Sequence, residues 1–238
     1  MSEGIAYFPG CTAKYVDPEI GESTFEVLRI HGFEPVWLNQ QCCGIPYLAI
    51  GDLNGFLKRA KYNVRLLAEA NCDIVTACTS CALAIKRDYP KYLESAEAEE
   101  VSRRTYDIME YLTVLRARGD LENGFQPVDL SLIYHAPCHL SVLGQELIDR
   151  RLELMRLIPG LSVTQGRNGC CGMGGTFGSK VKNYEKSMEI GQDLFDEIKE
   201  TAPDMVITDC PGCKIQIEQG SGVTTTHPIH IMKKAYGL

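Results

Sequence analysis

Ten of the eleven cysteines in this 238-residue chain fall into two copies of one pattern. Cys11, Cys42, Cys43, Cys78 and Cys81 recur as Cys138, Cys170, Cys171, Cys210 and Cys213, at offsets of 127, 128, 128, 132 and 132 residues. The pattern C…CCG…CxxC, written twice, marks a duplicated unit. Its flanks agree: Tyr7 matches Tyr134, the CCG triplet ending at Gly44 matches the one ending at Gly172, and IVTACTSC (74–81) matches VITDCPGC (206–213). Cys72 has no counterpart and reads as a small buried residue.

Disulfides are a poor use for these thiols. The count is odd, and a chain of this length with 45% apolar residues buries a core without covalent staples. The first residues, MSEGIAYFPGC, lack a basic segment followed by an apolar one, and no run of eighteen apolar residues occurs. A cytoplasmic location is expected, or a peripheral one at a membrane through partners. Formal charge is −7, with no long block of basic residues, which disfavours nucleic acid as a partner. Metal binding or redox chemistry remains.

Each copy alternates short apolar runs with helical periodicity. The runs lie at 5–7, 35–38, 73–75, 132–134, 161–163 and 205–207. Leu57, Ala60, Val64 and Leu67, then Leu143, Leu147, Leu152 and Met155, then Tyr184, Met188, Gly191, Phe195 and Ile198 keep roughly helical spacing. Alternation of this kind predicts an α/β fold of two pseudo-repeated βαβαβα lobes with mostly parallel sheets. The cysteines follow the runs, so they should gather at the C-terminal ends of the strands, where open α/β sheets hold ligands. The lobes are expected at 1–87 and 131–238, with a helical connector over 88–130. The tail from Thr224 could add a last strand and a helical turn.

Five soft donors in one place favour iron and sulfur. Zinc is satisfied by four ligands, and adjacent cysteines suit one tetrahedral ion poorly, whereas a cluster offers separate iron corners. Zinc and metal-free thiol–disulfide chemistry remain the alternatives. Gly44 and Gly172, directly after each Cys pair, let the backbone come close and offer an N–H to sulfur. GMGGTFG (172–178) nearly repeats a dinucleotide fingerprint, but Phe177 stands where the last glycine belongs. His135 and His139 bracket Cys138 and could hydrogen-bond a thiolate or move a proton, or simply be structural. His31, His227 and His230 read as structural or surface residues, and Lys14, Arg167 and Lys180 either offset charge near the cysteines or meet solvent. No hydrolytic constellation is visible.

The doubled motif resembles the cysteine-rich CCG domain of heterodisulfide reductase. YHAPCHL (134–140), IPGL (158–161), CCGMGGTFG (170–178), VITDCPGCKIQIE (206–218) and HPI (227–229) are also similar to the C-terminal half of the anaerobic glycerol-3-phosphate dehydrogenase iron–sulfur subunit. Lactate and glycolate oxidase iron–sulfur subunits carry similar modules. The resemblance spans about residues 5–231 and implies that each quintet holds an unusual non-cubane 4Fe-4S cluster, two in all, with one site open to zinc or a different cluster. It further implies a multi-subunit oxidoreductase in which flavoprotein and ferredoxin-like subunits supply electrons and a disulfide or a quinone receives them. An alternative is a relay subunit without a substrate of its own. The dehydrogenase-type subunit has a ferredoxin-like segment ahead of its CCG repeats, where this sequence starts at the first strand, so electrons are expected from another polypeptide. The second loop, from Cys171 to Cys210, is longer than the first, from Cys43 to Cys78, so the two sites need not hold the same group.

Overall fold

The computed structural model describes residues 3–167 and 169–238, and the chain divides into two units, Met1–Glu122 and Asn123–Leu238. The first runs β1 (Glu3–Phe8), α1 (Gly10–Tyr15), α2 (Glu19–Ile30), β2 (Phe33–Trp37), α3 (Ile45–Ala49), α4 (Leu53–Ala70), β3 (Ile74–Thr76) and α5 (Thr79–Leu83). A π-helical turn (Ala84–Asp88) leads into α6 (Tyr89–Leu93), α7 (Ala96–Arg103), β4 (Thr105–Asp107) and α8 (Ile108–Arg118). The second contains β5 (Leu130–Tyr134), α9 (Cys138–Ser141), α10 (Gln145–Met155), β6 (Leu161–Gln165), α11 (Tyr184–Thr201), β7 (Met205–Ile207), α12 (Pro211–Ser221), β8 (Thr225–Thr226) and α13 (Pro228–Ala235).

Each unit is built on a four-stranded sheet, in the order β2-β1-β3-β4 and β6-β5-β7-β8. Every pairing is parallel, with Ile5 beside Pro35 and Tyr7 beside Val75 in the first sheet, and Leu132 beside both Val163 and Met205 in the second. The two sheets confirm the expected α/β class and the repeat. The strand expected near the tail is β8, and it is followed by α13. One strand goes beyond the sequence reading: β4, inside the segment 88–130, pairs with β3 and completes the first sheet. Its three residues, Thr-Tyr-Asp, carry no apolar alternation, and Asp107 serves at once as strand end and as the N-cap of α8, closing a capping box with Glu110.

Amphipathic helices cover the sheets. Asp52 caps α4 by accepting from the Gly55 N–H at 2.8 Å, and Phe56, Ala60, Val64 and Leu67 form the stripe it buries. That stripe packs with Ala6, Phe8 and Ile74, and in the same core lie Cys43 and Cys81. In the second unit Leu194, Phe195 and Ile198 of α11 meet Ile133 and Val206, with Cys171 and Cys213 among them. Among the described residues no helix is long and apolar enough to cross a membrane.

Candidate metal centre

In both sheets the first strand lies between the second and the third, so the loops leaving the C-terminal ends of those three strands are neighbours. All five cysteines of each unit sit on these loops. Cys11 opens α1 after β1, Cys42 and Cys43 follow β2, and Cys78 and Cys81 follow β3, with Cys78 as the N-cap of α5. Cys138 opens α9, Cys170 and Cys171 follow β6, and Cys210 is the N-cap of α12, with Cys213 in its first turn. None of them is in a disulfide.

The sulfurs form two strings. In the first, contacts run from Cys11 to Cys42, to Cys43, to Cys81 and to Cys78. In the second they run from Cys138 to Cys170, to Cys171, to Cys213 and to Cys210, with the Cys171 and Cys213 Sγ atoms 3.3 Å apart. Each string passes through the core and reaches the surface at one end: Cys43, Cys81, Cys171 and Cys213 in the middle are buried, Cys78 and Cys210 at the far ends are half-buried, and Cys11, Cys138 and Cys170 are exposed. Among the described residues no three His, Cys, Asp or Glu side chains are grouped as for a single metal ion.

Charge is distributed unevenly along each string. The thiols of Cys11 and Cys43 donate to Cys42, and with the Gly44 N–H and the nearby Arg59 they bring the Cys42 thiol down to about 3 despite partial burial. Cys170, in the same position of the second string, falls to about 2 through Cys138 and Cys171, helped by the Gly172 N–H, which donates to its sulfur at 3.3 Å. The donors move the other way. Cys11 and Cys138 are raised by the bond to that thiolate first and by burial second. Cys43 rises for the same reasons, and Cys171 reaches about 12. Cys81 and Cys213 rise because they hydrogen-bond to neighbouring sulfurs and are buried. The first cysteine of each CC pair is therefore the one most readily ionised, and its two hydrogen-bonding neighbours keep their protons more firmly.

Both glycines after the CC pairs have left-handed backbones, φ 94° at Gly44 and 91° at Gly172. A Cβ on Gly172 would stand 1.9 Å from the Ser187 carbonyl oxygen, and one on Gly44 would meet the Phe56 ring at 2.6 Å. These turns aim each N–H at sulfur and need glycine to do so.

Residues 5–86 and 132–218 match the model of the cysteine-rich domain CCG. The chain belongs to the CCG family. It is 34% identical over 240 residues to an anaerobic glycerol-3-phosphate dehydrogenase subunit of Escherichia coli K12, covering 97% of this chain and 59% of that protein. It is 35% identical over 217 residues to a fumarate reductase (CoM/CoB) subunit of Methanothermobacter marburgensis, covering 90% and 41%. Lactate utilization protein A of Shouchella clausii is 29% identical and matches over 90% of this chain and 89% of its own. The chain thus spans less than two thirds of the first two. A solved structure of a hypothetical protein from Helicobacter pylori shares the fold, with a TM-score of 0.60 at 14% identity over 99% of this chain and 49% of that one.

The supports of the two CCG quintets differ, and sequence reasoning did not find them. In the first unit Asn63, fully buried on α4, donates to the carbonyls of Gln41 (3.3 Å) and Cys42 (3.2 Å) and accepts from the Gln41 N–H. Asn63 also donates to the Tyr89 hydroxyl, which in turn donates to the Cys43 carbonyl at 3.0 Å. In the second unit the Ser187 hydroxyl donates to the Gly172 carbonyl at 2.8 Å and accepts from Gln216 at 2.8 Å. Beneath Cys210, Asp209 accepts from the Tyr134 hydroxyl and faces the Arg151 Nε at 3.7 Å, all three side chains buried. At the corresponding offsets the first unit has Tyr7, Thr24 and Ala77, without the charges.

His135 is buried, both of its ring nitrogens lack a hydrogen-bond partner, and burial lowers it to about 4 despite the Cys170 charge. His139 lies in α9 beside Cys138, half-buried. His227 caps α13 by accepting from the Ile229 N–H, and His31 bonds the Val27 carbonyl. Lys14 is half-buried next to Cys11, and Arg167 and Lys180 are exposed. GMGGTFG forms turns rather than a helix start. Cys72 packs at the edge of the first core, and its carbonyl accepts from Arg104.

Proposed function

We propose that the chain is an iron–sulfur subunit of a multi-subunit oxidoreductase, with one cluster held by Cys11, Cys42, Cys43, Cys78 and Cys81 and a second by Cys138, Cys170, Cys171, Cys210 and Cys213. The observation that carries this reading is the pair of five-sulfur strings, each running without a break from the surface into the core at the ends of three adjacent parallel strands. A string of thiol donors, with no three gathered about one point, suits a body of several metals better than a tetrahedral ion. When bound, such clusters supply one-electron chemistry whose potential depends on nearby N–H donors and on burial. The relatives named above are subunits of a dehydrogenase and of a reductase, in line with this reading.

The chain's own residues then have defined tasks. Cys42 and Cys170, the most readily ionised, would hold the metal together with their neighbours, whose protons would have to be lost for them to bind. The Gly44 and Gly172 N–H groups offset sulfur charge, while Cys43, Cys81, Cys171 and Cys213 hold the inner side away from water. Electrons enter from a flavoprotein or ferredoxin-like partner and leave toward a disulfide or a quinone. Exposure of Cys11, Cys138 and Cys170 favours an acceptor that meets the outer end of a quintet over a wholly sealed relay. The test is anaerobic loading with iron, sulfide and zinc quantified. About four irons with matching sulfide per quintet support the proposal, and stoichiometric zinc without sulfide overturns it.

A further inference from the structure

We propose that the cleft between α2 and β2 in the first unit binds an uncharged flat ring of the quinone kind, which meets the protein at Trp37. The inference rests on the reading above and deepens it by giving one of its two acceptor classes a place. The cleft has a volume of about 380 Å³, within the range of small-molecule sites. Trp37, 43% exposed, and Phe25 give it aromatic walls, and Gly21 lies between them. None of the five cysteines lines it among the described residues, so it lies outside the space a cluster would fill.

Gly21 is the residue that opens the site. It stands inside α2, where glycine is a poor helix former. A Cβ there would make ordinary contacts, 3.6 Å from the Tyr7 hydroxyl oxygen and 3.7 Å from the Trp37 ring. Packing therefore does not demand glycine, and its effect is to leave the Trp37 ring bare toward the cleft. In the second unit Ile148, itself buried, stands at the offset of Gly21, and Leu152 and Gln165 replace Phe25 and Trp37. The rim of the cleft carries Lys14 and Arg29 against Glu22 and Glu26, two charges of each sign. Such a balance gives little hold on an ion, whereas open aromatic faces stack with a flat neutral ring. Behind Trp37 the rings continue inward. Its centroid lies 5.6 Å from that of Tyr7, edge to face. Burial raises the Tyr7 hydroxyl, and the charges of Cys81 and Cys78 add to the effect, so Tyr7 is within electrostatic reach of both. Two rings thus join the cleft to the end of the first string opposite Cys11. A disulfide has to touch sulfur or iron to be cleaved, but a quinone needs only such an approach. Its reduction to the hydroquinone takes two electrons from the first quintet and two protons from water on the open side. The flavoprotein or ferredoxin-like partner then replaces the electrons.

Duroquinone, whose ring carbons are all methylated and resist addition by thiols, is the probe. Calorimetric titration of the anaerobically loaded, oxidised full chain should show saturable 1:1 binding. The emission of Trp37, the only tryptophan in the sequence, should be quenched at the same midpoint. Gly21→Leu fills the cleft and should weaken binding about tenfold with the emission retained. Trp37→Leu, at an exposed position that the fold does not need, should weaken it about tenfold as well. Lys199→Gln, exposed on α11, is the control. Reoxidation of the reduced, loaded chain by saturating duroquinone should be slower in Trp37→Leu at unchanged iron content. Absence of saturable binding, full affinity in both cleft variants, or reoxidation that ignores Trp37→Leu overturns the proposal. Iron and sulfide measured on the same samples separate the two readings: loaded protein that does not bind the ring defeats only the cleft, and ring binding with no iron taken up defeats only the clusters.

Discussion

His135 shows how much depends on a single side chain. It folds neutral, at about 4 against an ordinary value of 6.5. Between those values the unfolded chain carries the proton and the folded one does not, so the stability that His135 contributes should fall as pH drops through 6.5 toward 4, by up to about 3 kcal/mol, read as the difference between the parent and His135→Leu. Chemical unfolding of the reduced, metal-free protein across that window checks this, and His135→Leu should flatten the slope. The glycines after the CC pairs allow a graded comparison. Gly172→Ala drives a methyl into the Ser187 backbone and should cost more than about 3 kcal/mol. Gly44→Ala meets only the edge of the Phe56 ring, so the loss of thermal stability should be smaller. The ten cysteines were legible at this scale because duplication prints the same spacing twice. Asn63 and Arg151 were not, since their partners are brought to them only by the fold. Both left a faint trace: Asn63 interrupts the apolar stripe of α4, and Arg151 falls between Ile148, Leu152 and Met155 on that of α10.

At the level of elements, six apolar runs predicted six strands: β1, β3, β5 and β7 are buried along most of their length, as apolar runs should be, whereas β2 and β6 bury only their middle residues, Pro35 and Val163. β4 escaped notice as a short polar edge strand, and its Asp107 is better suited to start a helix than to extend a sheet. The turn at Ala84–Asp88 escaped for another reason. It is one residue wider than an α-helical turn, with the Tyr89 N–H reaching back to the Ala84 carbonyl, and no composition signals it. Tyr89, directly after the turn, donates its hydroxyl to the Cys43 carbonyl. Deleting Arg87, exposed within the turn, should restore α-helical spacing and swing Tyr89 away, and loading of the first quintet should fall while the second stays full. In the other unit α10 and the loop before α12 meet through Arg151 and Asp209. Asp209→Asn strands a buried guanidinium and should destabilise by about 3 to 5 kcal/mol in denaturant titration. Adding Arg151→Met should recover most of that loss.

Across the molecule, each sheet completes its own five sulfurs from its own three loops. Replacing Cys43 and Cys81 by serine should halve bound iron, and extending the change to Cys171 and Cys213 should abolish it, as measured by iron content per chain. The supports around the sulfurs have meanwhile diverged, a neutral Asn63–Tyr89 clasp on one side and a charged Arg151–Asp209 pair on the other. If the two quintets hold clusters as proposed, their different supports should give the two centres different potentials. In that case, with a cluster in each quintet, air or an alkylating reagent has two separate targets with different armour. Inactivation should proceed in two steps rather than one, and a protein poisoned at its weaker end would still keep half its colour.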